Sequence, residues 1–313
     1  MLKTKKILLV IIFSILITPL YAGPKDKVRD GFISKKGVHP VKNDFNINDP
    51  KNKIILIYNH GQNENDSVKG CAWVSVLRNH ASLIDQEVNG KKIVVYNLCS
   101  DHLRGDMSQG KDWWYLKPQP TVYEGKHILD KRVELNLELI EKFVKAGVPR
   151  KQVFITGHSC GGLTTLLFMS RHPDKVGGGI SYMQACFGKL SHKYKVKKLG
   201  IEKAMAKFRK KNPGPHDLRQ KMNDEIKNNL KTPLLTFTHP KDKYEGLLSD
   251  WLEEISSVKR IIISEKFKIN GKKCIRKGDD WSESIKKGHD MDTGLCFQYY
   301  NPEILNYIAS RIK

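Results

Sequence analysis

The sequence predicts an α/β fold: a mostly parallel sheet covered by helices on both faces, with a small helical insertion. Three observations predict it. Short apolar runs rich in β-branched residues recur along the chain. Segments with helical spacing separate them, which makes neighbouring strands parallel and buries both sheet faces. One strand-to-helix junction carries Gly157-His158-Ser159-Cys160-Gly161, a G-x-S-x-G pattern that suits a sharp turn exposing a serine hydroxyl.

The elements follow in order. Residues 1–22 have the layout of a secretory leader. Lys3, Lys5 and Lys6 precede an apolar run from Ile7 to Ile17, and Thr18-Pro19-Leu20-Tyr21-Ala22 suits cleavage after Ala22. The apolar run is short for a membrane span. Residues 23–52 read as a polar N-terminal arm with short edge strands, and 53–313 as the main domain. Lys53–Tyr58 and Ile93–Leu98 are central strands, with helical spacing over Cys71–Ile84 between them. Residues 99–126 form a long connection holding Trp113, Trp114 and Tyr115; a connection of that length points to function. His127–Ala146 is an amphipathic helix with Val133, Leu137, Ile140 and Phe143 on one face, ended by Gly147 and Pro149. Val153–Thr156 leads into the elbow, and Gly162–Met169 into a buried helix. Gly178–Met183 is the next strand. Residues 187–231 are charged and mostly helical in composition, and read as a helical insertion or cap. Thr232–Thr238 and Val258–Ser264 are the last strands, and Ile304–Ile312 the closing helix.

A serine hydroxyl is a poor nucleophile near neutral pH. It needs a histidine base, and the imidazole needs a carboxylate to hold its tautomer. Asp242 follows the strand ending at Thr238, and His289 lies in a loop before the last helix; Ser159 and His289 both read as exposed loop positions. Glu245 and Asp250 are rivals for the acid, and His239 for the base, although His239 shares its loop with Asp242. His102, His127, His172, His192 and His216 read as surface residues. The chain order Ser159, Asp242, His289 is the serine–acid–histidine order of one known arrangement. A developing oxyanion needs two preset N–H donors. The backbone of Cys160 supplies one. The loop Asn59-His60-Gly61-Gln62 supplies the other through Gln62, with His60 bracing the loop at the edge of a substrate pocket. Trp113, Trp114 and Tyr115 are candidates for lining that pocket.

Together, the His60-Gly61 loop, the Gly157–Gly162 elbow, Asp242 and Gly288-His289 resemble the α/β-hydrolase superfamily, over roughly residues 50–312. The feel is of dienelactone-hydrolase-like and secreted esterase members. The resemblance implies an eight-stranded sheet and acyl transfer through a covalent intermediate on Ser159, with neither metal nor organic cofactor. It implies a carboxylic ester as substrate. A peptidase or amidase on the same three residues is the alternative, as is a catalytically silent fold that binds an anionic surface polymer. A cysteine nucleophile at Cys160 is a further rival.

The leader implies export, periplasmic or secreted, where the six cysteines Cys71, Cys99, Cys160, Cys186, Cys274 and Cys296 can form disulfides. Cys274 could pair with Cys296 and Cys71 with Cys99, while Cys160 and Cys186 could pair or remain buried thiols; the spacing leaves connectivity open. The formal net charge is +22, and about +19 without the three leader lysines. Lys189, Lys193, Lys195, Lys197 and Lys198 concentrate part of it. Such a surface attracts anionic polymers or lipid headgroups, or is simply solvated. No nucleic-acid motif accompanies it, and no segment after the leader is long and apolar enough to span a bilayer.

Overall fold

The computed structural model describes residues 30–35, 45–61, 80–98, 122–123, 126–263, 268–269, 272–273, 288–289 and 295–312. Its strands in chain order are β1 (Gly31–Phe32), β2 (Lys53–Asn59), β3 (Glu87–Val88), β4 (Lys91–Leu98), β5 (Val122–Tyr123), β6 (Lys126–His127), β7 (Val153–His158), β8 (Gly178–Tyr182), β9 (Leu234–Thr238), β10 (Val258–Ile262), β11 (Lys268–Ile269) and β12 (Lys272–Lys273). Its α-helices are α1 (Ile128–Lys145), α2 (Cys160–Arg171), α3 (Leu190–Lys193), α4 (Val196–Leu199), α5 (Ile201–Lys211), α6 (Pro213–Asn229) and α7 (Asn301–Arg311).

Among the described residues, eight strands form one sheet in the order β1-β4-β2-β7-β8-β9-β10, with β3 also on β4. β4-β2-β7-β8-β9-β10 pair in parallel, while β1 and β3 pair with β4 antiparallel. β5 with β6 and β11 with β12 make two separate two-stranded ribbons. The order runs one way from β2 to β4 and the other way from β2 through β7 to β10. The reversal lies at β2 and β7, and in parallel sheets ligands bind beyond the C-terminal ends of strands at such a point.

The central strands are continuously apolar because both faces are covered. Ile54, Ile55, Leu56 and Ile57 are all fully buried. Alternate residues go to opposite sides. Ile55, Ile57, Val153 and Ile155 pack with Leu129, Val133, Ile140 and Phe143 of α1 and Leu166–Met169 of α2. Ile54, Leu56, Tyr58 and Phe154 pack with Phe297, Ile304 and Ile308 on the other face. Each such side chain contributes about 1.5–3 kcal/mol on burial. β10 ends the sheet as an edge strand, and Ile262 on it is 53% exposed. Tyr307 of α7 anchors its helix under β8 and β9: its hydroxyl accepts from Gly179 N at 3.0 Å and donates to Pro233 O at 2.8 Å.

Four helices, α3 to α6, occupy most of 187–231. Phe208, Met222 and Ile226 join the same core as α2. Arg171 on α2 donates to Asp130 of α1 at 2.7 Å and to Glu225 of α6 at 2.5 and 2.9 Å, linking three helices. Those carboxylates hold its guanidinium even above the usual arginine range. Lys193, Lys195, Lys197 and Lys198 face solvent. Among the described residues no helix is long and apolar enough to cross a membrane.

His127 corrects the expectation of a surface histidine. It is buried and caps α1, its Nδ1 accepting from Leu129 N at 3.2 Å. Burial away from water pushes its pKa down to about 4. The unfolded chain, with an ordinary histidine pKa near 6.5, therefore binds the proton more readily than the native state. The neutral cap stabilises fully above about pH 6.5, and that contribution is lost as pH falls through about 4, where its Nδ1 must protonate and can no longer accept. The loss amounts to about 3 kcal/mol. Urea melts of wild type and His127→Asn between pH 7 and pH 4 check this: the wild type should lose more stability than the variant, in which a neutral cap persists. Equal slopes would contradict it.

Candidate active site

The elbow is built by close backbone approach. β7 ends at His158, α2 begins at Cys160, and Ser159 between them sits at φ 56, ψ −120. A non-glycine residue there stores about 1–3 kcal/mol of strain. Three backbone hydrogen bonds hold it: Ser159 N donates to Tyr182 O at 3.0 Å, and Ser159 O accepts from Leu163 N at 3.0 Å and Ala185 N at 3.1 Å. The flanking glycines are demanded by space. A Cβ on Gly157 would lie 2.3 Å from Gly161 O, and one on Gly161 would lie 2.0 Å from Asn59 O.

His289 and Asp242 arrive from other loops. His289 Nε2 lies 2.9 Å from Ser159 Oγ, and His289 Nδ1 lies 2.9 Å from Asp242 Oδ2. The other carboxylate oxygen, Oδ1, accepts from Tyr244 N at 2.8 Å, a local turn that fixes the acid's rotamer. An ionised carboxylate can only accept, so it places the imidazole proton on Nδ1 and leaves Nε2 as acceptor for the serine hydroxyl. Gly288, at φ +81, leads into the histidine; a Cβ there would lie 2.3 Å from His239 Nδ1. The structure thus brings Ser159, His289 and Asp242 into one hydrogen-bonded line, across sequence separations of 130 and 47 residues.

The rivals sit elsewhere in the network. Glu245 forms a buried ion pair with Arg219 of α6, at 2.5 and 3.2 Å. Asp250 pairs with Arg260 at 2.8 Å. His239 Nδ1 accepts from Lys241 N at 3.1 Å within its own turn. Cys160 is disulfide-bonded to Cys186, so its sulfur is not a thiolate nucleophile. Gln62, Trp113, Trp114 and Tyr115 lie outside the described residues, as do His102, Cys71, Cys99 and Cys274 and the side chain of Cys296. His60 is buried at the end of β2, with Nδ1 2.6 Å from Gly61 O.

Ser159 and His289 also correct an expectation of exposed loop positions: they are 7% and 4% exposed. The reason is what packs on them. Tyr244 stacks on the His289 ring, with centroids 3.9 Å apart and 29° between planes. His158 lies on another side of it, with centroids 4.9 Å apart, and its Nε2–H donates to His289 O at 2.9 Å. Gly61 presses on the serine so closely that a Cβ there would lie 3.0 Å from Ser159 Cβ.

Four positioning residues escaped the sequence reading. His158 and Tyr244 hold the imidazole; the only local signal for them is that they stand one residue from Ser159 and two from Asp242. Arg132 and Asn136, buried on α1, hold the loop after β2. Arg132 donates to His60 O at 3.0 Å, and the amides of Asn136 and Asn59 bond reciprocally at 2.8 and 3.1 Å. Polar residues on the buried stripe of an amphipathic helix are the signal that could have found them.

Neither a protein-family model nor a curated protein sequence matches the chain. Solved structures similar to it include a fungal esterase from Rhizomucor miehei, with 11% identity over 84% of this chain and 77% of that one and a TM-score of 0.46. Est1E from Butyrivibrio proteoclasticus has 12% identity over 90% and 93%, with a TM-score of 0.39. A phospholipase/carboxylesterase from Dyadobacter fermentans has 16% identity over 76% and 91%, with a TM-score of 0.37. All three scores lie under 0.5; the chain's own mostly parallel strand order and the elbow after β7 define the fold. On those features the chain has the α/β-hydrolase fold.

Proposed function

We propose that the chain is an exported serine hydrolase that cleaves a carboxylic ester through an acyl-enzyme on Ser159. One observation carries the reading: hydroxyl, imidazole and carboxylate stand in a single hydrogen-bonded line where the strand order reverses. Ser159 Oγ attacks the ester carbonyl carbon as His289 Nε2 takes its proton, and Asp242 stabilises the imidazolium. The amide of Cys160, at the first position of α2, and that of Gln62 hold the oxyanion. His289 then gives its proton to the departing alkoxide. It next takes a proton from water as the water oxygen bonds to the acyl carbon; the bond from that carbon to Ser159 Oγ then breaks, His289 returns the proton to Oγ, and the acid leaves. The same relay serves amides, and leaving-group preference separates the two. The leader-like residues 1–22 and the Cys160–Cys186 disulfide support export, since such bonds persist in oxidising compartments.

The test is rapid-mixing kinetics on p-nitrophenyl esters. A burst of one p-nitrophenol per protein, followed by slower turnover, is the expected mark of an acyl-enzyme. Folded protein that shows neither burst nor turnover on short or long acyl chains would favour the silent, polymer-binding reading. Asp242→Asn should lower kcat by about 10³–10⁴, because the amide no longer holds the Nδ1–H tautomer. Full rate in that variant would place the acid elsewhere.

A further inference from the structure

The Cys160–Cys186 bond supplies no atom to the acyl transfer, yet it joins the residue after the nucleophile to the residue after Ala185. Ala185 itself meets Ser159 twice. Its N–H donates to Ser159 O at 3.1 Å, and its carbonyl lies 3.2 Å from Ser159 Oγ. The elbow and the loop after β8 therefore meet in two adjacent rungs, one polar and one covalent, with the cysteine Cα atoms 4.5 Å apart. The loop is pinned behind them: Met183 N donates to Phe237 O at 2.9 Å and Gln184 Nε2 to Ser249 Oγ at 3.0 Å. Both cysteines are 3% exposed.

This placement bears on reactivity. The Ser159 hydroxyl has one proton and two acceptors in reach: His289 Nε2 at 2.9 Å and Ala185 O at 3.2 Å. Only the first direction activates the oxygen. Where the Ala185 carbonyl stands decides how well it competes, and the covalent rung one residue on sets that position. The rung also fixes the Cα of Cys160, whose amide is one of the two proposed oxyanion donors. Ser159 has backbone angles that ordinary residues avoid, so it must be held.

We infer that the Cys160–Cys186 disulfide is a positioning device for the nucleophile, and that its reduction slows turnover while leaving the fold in place. The inference rests on Ser159 being the nucleophile. The reductant is a dithiol: its thiolate attacks one sulfur, and its second thiol displaces the mixed disulfide. Two electrons and two protons thereby pass to Cys160 and Cys186, and the reagent closes to a cyclic disulfide.

The test compares oxidised wild type with Cys160→Ala/Cys186→Ala. Circular dichroism reports the fold, ester turnover reports kcat and KM, and a fluorophosphonate reports Ser159 reactivity. The expected result is a kcat and a labelling rate each lower by about tenfold or more, with KM within about twofold. A bond that merely staples the fold would lower the melting temperature and leave kcat unchanged, which overturns the inference. Should the double variant not fold, native wild type is treated with dithiothreitol below its melting temperature, alkylated and peptide-mapped. Turnover should then track the fraction of the 160–186 bond that is oxidised, and return on reoxidation. Full turnover in mapped, reduced protein overturns the inference, and so does reduction that occurs only on unfolding. Oxidised wild type that neither labels nor turns over sinks the proposed function instead.

Discussion

Ser159→Ala is expected to lower ester turnover by about 10⁵–10⁶-fold while the protein stays folded. The alanine keeps the backbone of the elbow and its three main-chain hydrogen bonds, and removes only the oxygen that stands 2.9 Å from His289 Nε2. Stability should change little, since the lost contacts are those of one hydroxyl. His289→Ala should lower kcat by a similar factor, and the double variant by no more than either alone, because base and nucleophile act as one unit. The serine variant is the cleaner of the two. Removing His289 leaves a space under Tyr244 and leaves Asp242 Oδ2 without the imidazole. Steady-state kinetics on p-nitrophenyl esters, with thermal melts alongside, checks each outcome. Turnover in Ser159→Ala within tenfold of wild type would remove the serine from the mechanism.

Gly161→Ala is the second large effect, and it falls on the fold. The new methyl would lie 2.0 Å from Asn59 O and 2.9 Å from His60 O, both main-chain atoms at the end of the central strand β2. No side-chain rotation relieves such a contact; either α2 or β2 must shift. The expected cost is about 4 kcal/mol or more, at the extreme of single substitutions. Gly157→Ala should do nearly as much, its methyl falling 2.3 Å from Gly161 O. Gly90→Ala is the control: its φ is +73, with nothing within 4 Å of the added methyl. It should cost only the backbone term, about 1–2 kcal/mol. Urea melts of the three variants give the ranking directly, and equal losses at positions 90 and 161 would contradict a contact-driven elbow.

The legible parts of this chain are those whose cause is local. A strand buried on both faces must be apolar at every position, so Ile54–Ile57 announces itself. A serine wedged between a strand and a helix needs small neighbours, so Gly157 and Gly161 mark the turn before any coordinates exist. Asp242 and His289 were reachable for a different reason: each follows a break where a loop could carry it to the sheet's edge. What stayed hidden depends on partners brought from afar. His127 lies in a polar stretch, and only packing shows that it is buried against its own helix start. Arg132 and Asn136 look like interruptions of an apolar stripe until Asn59 and His60 are placed beside them. Cys160 could have paired with any cysteine in the chain; proximity across 26 residues chose Cys186. The burial of Ser159 and His289 has no local sign, because Tyr244 and His158 cover the imidazole through three-dimensional contacts that spacing does not report.

Peptide mapping of the folded, oxidised protein after a fluorophosphonate bears most directly on the relay. One phosphonyl group should be found, on the oxygen of Ser159, with its rate of formation falling steeply in His289→Ala. Protein that remains unmodified, or carries the group on another residue, would mean that the hydroxyl at the start of α2 is not the activated atom.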